Sequence, residues 1–341
     1  QLMPPVMGAG AFILATWTNI PYLEVAAAAI IPSILYYVAL LAAIHFRASA
    51  MGIEPVREVA PEKIRDKLHL LLPLGAIVLL LAMGRSPMRA AFWGVTSALA
   101  MACLRPATRP SLPQLGEVME RGGRGAVQVA AACAAAGIVV GVASLTGIGL
   151  RMSELIVTVS GGNLLAALML TAIGSIILGM GLPTTAAYVV LAALGAPALV
   201  QLGVPLLAAH LFIFYFGCIS NVTPPVSLAA FAAAGISGSP ALKTAVSAAL
   251  LAGAGFVVPF MFVYGPELLL IGHPVEIMLA FVTGLLGVIA LASAGMGYAR
   301  RPLRIWERAI ALCAALLLVY PGLPTDVGGL LLLAFIFTSR R

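Results

Sequence analysis

The sequence predicts an all-α, polytopic integral membrane protein with inverted repeats, a re-entrant hairpin and broken helices. Three observations support this class: an apolar composition, apolar runs long enough to cross a bilayer, and glycine–proline breaks inside two of those runs. Of the 341 residues, 62% are hydrophobic and 9% are charged, whereas a soluble domain carries about 25% charged residues. So apolar a chain requires membrane lipid as its main solvent.

The apolar runs set the order of the spans. A helix needs about 20 residues to cross the hydrocarbon core. Three apolar segments are not simple spans, namely 6–18, which follows Pro4-Pro5, and the longer segments 163–200 and 205–237. The runs predicted to be full spans, of which the last two are short, are 22–46, 68–84, 87–104, 124–148, 240–264, 273–297, 305–320 and 325–338.

The two long segments are interrupted in different ways. Segment 163–200 is too long for one helix and is broken at 179–183, so we predict two half-helices that form a re-entrant hairpin. Segment 205–237 is broken at 223–225, and its halves together make one crossing with an unwound centre. Irregular backbone at membrane depth is tolerated where protein or a cavity covers it.

The basic residues test this layout. With one hairpin and one broken crossing, 16 of the 19 basic residues fall on one membrane face, in 47–67, 105–124, 238–243, 298–308 and 339–341. Arg85, Arg89 and Arg151 remain on the other face. Loops rich in Lys and Arg are cytoplasmic, so the rich face is predicted to be cytoplasmic. Counting 163–200 as a single crossing would change the split to 9 against 10.

The net charge of +7 does not indicate nucleic-acid binding, because the basic residues lie in short clusters between apolar runs. Such clusters are typical of loops that face anionic membrane lipid. The chain begins at Gln1 inside an apolar stretch, from which we expect further helices upstream of this sequence.

A short internal repeat divides the chain. Residues 4–12 read PPVMGAGAF and residues 224–231 read PPVSLAAF. In the predicted topology the two copies run in opposite directions, which is typical of secondary transporters. The predicted parts are the end of the first repeat (1–46), cytoplasmic loops with two connecting scaffold spans (47–123), the second repeat (124–264) and C-terminal extension helices (265–341).

The hairpin tip carries the first group of candidate site residues. Gly179 and Gly181 permit unusual backbone angles and let carbonyls turn away from the helix. Pro183 suits the first turn of the next helix. Thr184 and Thr185 place hydroxyls at a helix N-terminus, where free N–H groups attract anions. The tip can therefore offer oxygens to a cation and N–H groups to an anion; the alternative is a kink without a ligand.

The second break carries the other group. The prolines at 224–225 lack N–H donors and release carbonyls upstream, near Gly217. These carbonyls and the oxygens of Ser220, Asn221 and Thr223 are candidate Na⁺ ligands. Neither break contains a carboxylate, so the predicted site suits Na⁺ better than Ca²⁺, Zn²⁺ or a proton relay.

At these motifs the sequence resembles the large membrane subunit of TRAP (tripartite ATP-independent periplasmic) transporters, and most closely their fused TAXI-type permeases. The resemblance covers most of residues 3–264, and 265–341 is similar to the extra C-terminal helices of the fused permeases. The matching stretches are MPPVMGAGAF (3–12), CAAAGIVVGVASLTGIGL (133–150), LGMGLPTTAAYV (178–189), AAHLFIFYFG (208–217) and VTPPVSLAAFAAAGISG (222–238).

The resemblance implies a Na⁺-driven elevator-type importer of small organic anions in a bacterial inner membrane. It implies a periplasmic substrate-binding protein as partner and a small permease subunit fused upstream. It also implies one cation site made by 179–185 and 217–226. The residues then expected to bind the cation are Gly179, Gly181, Thr184, Gly217, Ser220, Thr223 and Val226, and those expected to contact substrate are Pro183, Thr185, Asn221, Pro4 and Pro5.

Two positions depart from the family pattern. Thr16 stands where the family has an acidic residue, and Ser220 stands where glycine is frequent. The first departure removes a polar contact typical of the family. The second adds a hydroxyl and still allows a backbone-carbonyl ligand.

Two other functional classes remain open, an intramembrane hydrolase and a channel. The chain contains no His-Glu-x-x-His motif, and its Asp residues, Asp66 and Asp326, do not form an intramembrane pair. A Ser/His pairing through His210 is a further option. The alternative for His210 is a neutral ring bonded to a neighbouring helix.

Overall fold

The computed structural model describes residues 1–53, 69, 71–104, 108–320 and 322–338. Within these ranges the chain is helical and forms no strand, which confirms the predicted all-α class. The helices are α1 (Ala9–Thr18), α2 (Tyr22–Ala28), α3 (Ile30–Ala50), α4 (Leu72–Ala82), α5 (Pro87–Leu104), α6 (Leu112–Thr146), α7 (Ile148–Val159), α8 (Leu164–Gly179), α9 (Thr184–Gln201), α10 (Leu206–Ile219), α11 (Leu228–Ser237), α12 (Ala241–Leu251), α13 (Gly253–Tyr264), α14 (Pro274–Met296), α15 (Ile305–Val319) and α16 (Leu323–Thr338).

Several helices are long and apolar enough to cross a membrane. The stretches that meet both conditions are Tyr22–Ala50, Leu112–Thr146, Thr184–Gln201, Ala241–Tyr264 and Pro274–Met296. The remaining apolar helices are shorter, with α15 and α16 at 15 and 16 residues.

Helix α10 lies at the centre of the molecule. Every residue from Ala208 to Ile219 is buried, as expected for a helix that is apolar on all sides. Phe212, Phe214 and Phe216 are among its fully or almost fully buried side chains. Helices α1, α8, α9 and α13 pack around it. The element that leads into the second predicted break is thus held by the core.

The two Pro-Pro-Val segments have the same local geometry. Met7 and Ser227, each the second residue after Pro-Pro, adopt left-handed backbone angles, with φ of 41° and 33°. The N–H of Met7 donates to the carbonyl of Met3 at 3.2 Å, and the N–H of Ser227 donates to that of Thr223 at 3.3 Å. Helices α1 and α11, each of 10 residues, follow. The sequence repeat is therefore also a structural one.

The spans after these segments are interrupted, which differs from the uninterrupted spans predicted at 22–46 and 240–264. The breaks fall at Ala29, between α2 and α3, and at Ala252, between α12 and α13. Pro32 lacks the N–H that would bond one turn back, which gives a physical reason for the first break.

Helix α6 begins at Leu112, well before the predicted span 124–148. Ser111 caps it: the Ser111 N–H donates to the Gln114 side chain at 2.8 Å, and the Gln114 N–H donates to the Ser111 hydroxyl at 3.4 Å. Such a reciprocal box stabilises a helix start. The prediction of a loop over 105–124 is therefore wrong from Leu112 onward.

Two further helices differ from the prediction. Helix α7 was not predicted; Gly147, at φ 68°, ends α6 and precedes it. Its 12 residues span about 18 Å, too short to cross the core. Helix α4 has 11 residues, fewer than the predicted 68–84, although residues 68 and 70 lie outside the described ranges.

The arms of the hairpin are longer than the predicted half-helices. Helices α8 and α9 have 16 and 18 residues, so they measure about 24 and 27 Å at 1.5 Å per residue. The hydrocarbon core is about 30 Å thick. With these lengths α8 and α9 form either a deep re-entrant hairpin or two membrane crossings. In both arrangements the chain returns to the membrane face from which it entered.

Candidate functional site

The hairpin tip separates α8 from α9 at the predicted residues. Helix α8 ends at Gly179, and Met180 is extended. Gly181 has a φ of +81°, a left-handed angle that glycine adopts without a Cβ penalty. Pro183 is the residue before α9, which begins at Thr184. The predicted interruption at 179–183 is thereby confirmed.

The second break follows α10. A 3-10 turn over Ser220–Val222 replaces the α-helix, and Thr223 is extended. The hydroxyl of Ser220 donates to the carbonyl of Gly217 at 2.8 Å, and the hydroxyl of Thr223 donates to that of Ile219 at 2.8 Å. The segment is therefore unwound but ordered by its own side chains.

The structure brings the tip and the second break together. A Cβ atom added to Gly179 would lie 2.8 Å from the Oγ of Ser220. A Cβ atom added to Gly181 would lie 3.7 Å from a methyl carbon of Val226. Four predicted cation ligands thus form two contacts between the tip and the second break, Gly179 with Ser220 and Gly181 with Val226. Gly217 is linked to the first contact through its hydrogen bond with Ser220.

Thr184 and Thr223 are placed less directly. Thr184 is the first residue of α9 and directly follows Pro183. Thr223 lies in the break, with its hydroxyl bonded to its own helix end. The N–H of Thr223 donates to the carbonyl of Ser220 at 3.3 Å, so Thr223 is linked to the contact at Gly179 through Ser220.

Two hydroxyl oxygens of the second break can accept further bonds. Ser220 and Thr223 donate their hydroxyl protons to carbonyls, which leaves their oxygen lone pairs able to accept. Unwound carbonyls and helix C-terminal ends are the groups that coordinate Na⁺ in broken-helix transporters. Among the described residues, no group of three or more His, Cys, Asp or Glu side chains forms a metal cluster.

The predicted substrate contacts fall into two groups. Pro183 and Thr185 flank the start of α9, and a Cβ atom added to Gly10 would lie 3.8 Å from the Cα of Thr185. Helix α1 therefore touches α9 beside the tip. Asn221 donates its side-chain amide to the carbonyl of Gly217 at 3.4 Å and so braces the break.

Pro4 and Pro5 lie in the turn before α1. The carbonyl of Pro5 accepts a hydrogen bond from the Tyr22 hydroxyl at 2.5 Å. Contact between the first segment and the hairpin is seen at Gly10.

His210 forms a hydrogen bond with a neighbouring helix, which was one of the two alternatives predicted for it. Its Nδ1 lies 2.7 Å from the hydroxyl oxygen of Tyr188, and both side chains are buried. The Trp17 ring lies 6.2 Å from that of Tyr188. Tyr188 was not predicted from the sequence as the partner of His210, although a buried tyrosine hydroxyl usually has a hydrogen-bond partner.

A second unpredicted contact joins α3 to α10. The hydroxyl of Ser33 lies within hydrogen-bond distance of the carbonyls of Leu2 and Ala29, either of which can accept its single proton, and 3.5 Å from the Tyr215 hydroxyl. It holds the N-terminal segment against the core helix. The serine carried no sequence signal, because Ser within an apolar helix usually bonds its own backbone.

Comparison with known proteins identifies one family. The model of the family described as "Tripartite ATP-independent periplasmic transporter, DctM component" matches residues 1–277. No curated protein and no solved structure matches the chain.

Proposed function

Because the chain belongs to the DctM family of tripartite ATP-independent periplasmic transporters, we propose that it is the permease that imports a small organic anion with Na⁺. The observation that supports this most is the contact between Gly179 at the hairpin tip and Ser220 at the second break. Two interrupted helices that meet without a carboxylate suit a site built from carbonyl and hydroxyl oxygens.

The proposed mechanism uses both breaks. Na⁺ bound between the tip and the break would hold them together by coordinating oxygens from each. The N-termini of α9 and α11 would then present free N–H groups to the substrate carboxylate. Each net positive charge moved inward gains about 2.3 kcal/mol per 100 mV of membrane potential.

The proposed movement is of the elevator type. The hairpin and the broken crossings would move as one loaded unit against a scaffold that includes α4 and α5. The two Pro-Pro-Val segments would form the moving parts of inverted repeats, with 1–46 and 124–264 as the repeat regions and 265–341 as an extension.

The family is one component of a tripartite system, which implies a periplasmic binding protein and a small membrane subunit as partners. We propose that the binding protein delivers the anion to the periplasmic face of a bacterial inner membrane. Dicarboxylates, keto acids and amino acids are the substrate classes proposed, since each offers a carboxylate to the helix N-termini.

Uptake into proteoliposomes tests the proposal. Purified chain with its binding protein is given a labelled dicarboxylate, 2-keto acid or amino acid, with NaCl or choline chloride outside. We expect uptake of at least one class in NaCl and little uptake in choline chloride. Thr223→Ala should raise the Na⁺ concentration needed for half-maximal uptake, because it removes an oxygen from the break.

Ser293→Ala is the matched control, since the hydroxyl of Ser293 likewise bonds a helix carbonyl, that of Ala290, at 2.9 Å. It should transport like the unaltered chain. Equal uptake in NaCl and choline chloride would contradict Na⁺ coupling.

A further inference from the structure

The hydroxyl of Ser227 is buried without a partner at the second break. Ser227 has no exposed surface, and within the described part of the chain its Oγ forms no hydrogen bond. It precedes α11 as the N-cap residue, yet its side chain caps no helix N–H. Buried polar groups almost always have a partner, so an orphaned one needs an explanation such as a bound ion.

The backbone at this position does not require a hydroxyl. Ser227 has a left-handed φ of 33°, and Met7 has a φ of 41° at the same position of the first segment. Met7 is apolar and fully buried. The left-handed turn is thus common to both segments, whereas the buried hydroxyl belongs to the second alone.

Ser227 lies among the residues of the candidate cation site. It directly follows Val226, whose side chain faces Gly181 at the hairpin tip. Its N–H donates to the carbonyl of Thr223 at 3.3 Å. The orphaned oxygen is therefore on the loop that packs against the tip.

We propose that the Ser227 hydroxyl is a direct ligand of the cation bound between the tip and the second break. The inference rests on the proposed function. A serine hydroxyl has lone pairs that can accept a cation. An organic anion fits worse, because Ser227 offers no surface to a molecule as large as water, whereas a small ion can lie between packed oxygens.

Thermal unfolding of the purified full chain in detergent tests this without substrate or binding protein. The unfolding temperature is measured against NaCl concentration, with choline chloride holding the ionic strength constant. Ser227→Ala and Ser227→Gly should each raise the half-saturating Na⁺ concentration about five- to tenfold, the effect of losing roughly one hydrogen-bond-sized contact.

The two variants separate ligand loss from backbone strain. Both lack the hydroxyl, but glycine adopts a φ of this sign without strain, so Ser227→Gly remains informative if Ser227→Ala folds poorly. Ser293→Ala is the control and should keep the half-saturating concentration of the unaltered chain.

Each outcome has a distinct meaning. If the unaltered chain responds to Na⁺ and both Ser227 variants keep its half-saturation, the assignment of Ser227 is overturned. A rise in Ser227→Ala alone would also overturn it, because the backbone would then be responsible. If the unaltered chain shows no Na⁺ response, the proposed Na⁺ site itself fails.

Discussion

At Gly179 the hairpin tip lies so close to the second break that a methyl group has no room. The Cβ of an alanine would lie 2.8 Å from the Oγ and 3.2 Å from the Cβ of Ser220. Real Cβ atoms do not approach another atom to 2.8 Å, so the Ser220 side chain, the tip or the break would have to move. The contact between Gly179 and Ser220 thus depends on glycine.

Gly179→Ala should therefore impair transport strongly. We expect at least a tenfold loss of Na⁺-dependent uptake, because the tip can no longer close on Ser220. The control is Gly174→Ala in the same helix, since a Cβ there meets no atom within 4 Å and alanine favours the helix. Uptake and expression of each variant are measured in proteoliposomes and membranes.

A second substitution distinguishes crowding from a general loss of folding. Ser220→Gly removes the two atoms, Oγ and Cβ, that lie too close to the added methyl group. The double variant Gly179→Ala/Ser220→Gly should regain part of the unfolding temperature lost by Gly179→Ala. No recovery would mean that the methyl group acts elsewhere.

At the scale of single residues, the sequence predicted where the two breaks lie better than what they contact. Gly179, Gly181 and the prolines at 224–225 mark breaks because their backbone chemistry is local. The partner of Gly179 and the orphaned hydroxyl of Ser227 depend on packing between distant segments. Such packing leaves no periodic or compositional trace in one sequence.

Helix α9 is joined to the core helix by a polar pair inside an otherwise apolar contact. The Tyr188 hydroxyl oxygen and His210 Nδ1 are 2.7 Å apart and lie between α9 and α10. Tyr188 is one turn beyond Thr184, so the pair fixes the helix whose N-terminus borders the proposed site. The pair thus stabilises the packing of α9 on α10 and also fixes the position of the helix N-terminus beside the proposed site.

Tyr188→Phe should lower the stability of the chain by about 1–2 kcal/mol, because His210 would lose a buried hydrogen-bond partner. His210→Leu and the double variant complete a cycle. The coupling energy should be about 0.6 kcal/mol, the average for such bonds between membrane helices. The measurement is unfolding in detergent; additive effects of the two substitutions would contradict the pairing.

At the scale of elements, local signals located the breaks but not every helix. Gly147 ends α6 at the predicted place, whereas the start of α6 was missed because its first turns are charged and do not look like a span. Helix α7 was not predicted because its 12 residues are amphipathic. It is also much shorter than the stretch of about 20 apolar residues that indicates a membrane-spanning helix.

For the whole molecule, the membrane face on which each basic loop lies depends on whether the chain crosses the membrane an even or an odd number of times between one loop and the next. Helices α8 and α9 together return the chain to one side, whether they form a hairpin or two crossings. The same holds for α4 with α5 and for α15 with α16. The short lengths of several of these helices therefore leave the predicted cytoplasmic face unchanged, since they occur in pairs.

Labelling of single cysteines tests this topology. In a chain whose four native cysteines are replaced, Ser239→Cys lies in the segment between α11 and α12, and Ser86→Cys lies between α4 and α5; both positions are exposed. A membrane-impermeant thiol reagent should label Ser86→Cys in intact cells and Ser239→Cys in inverted vesicles. The physical reason is that the basic loops stay on the cytoplasmic side. Labelling of Ser239→Cys in intact cells would mean that 163–200 makes an odd number of passes, and the inverted relation between the two Pro-Pro-Val segments would fail with it.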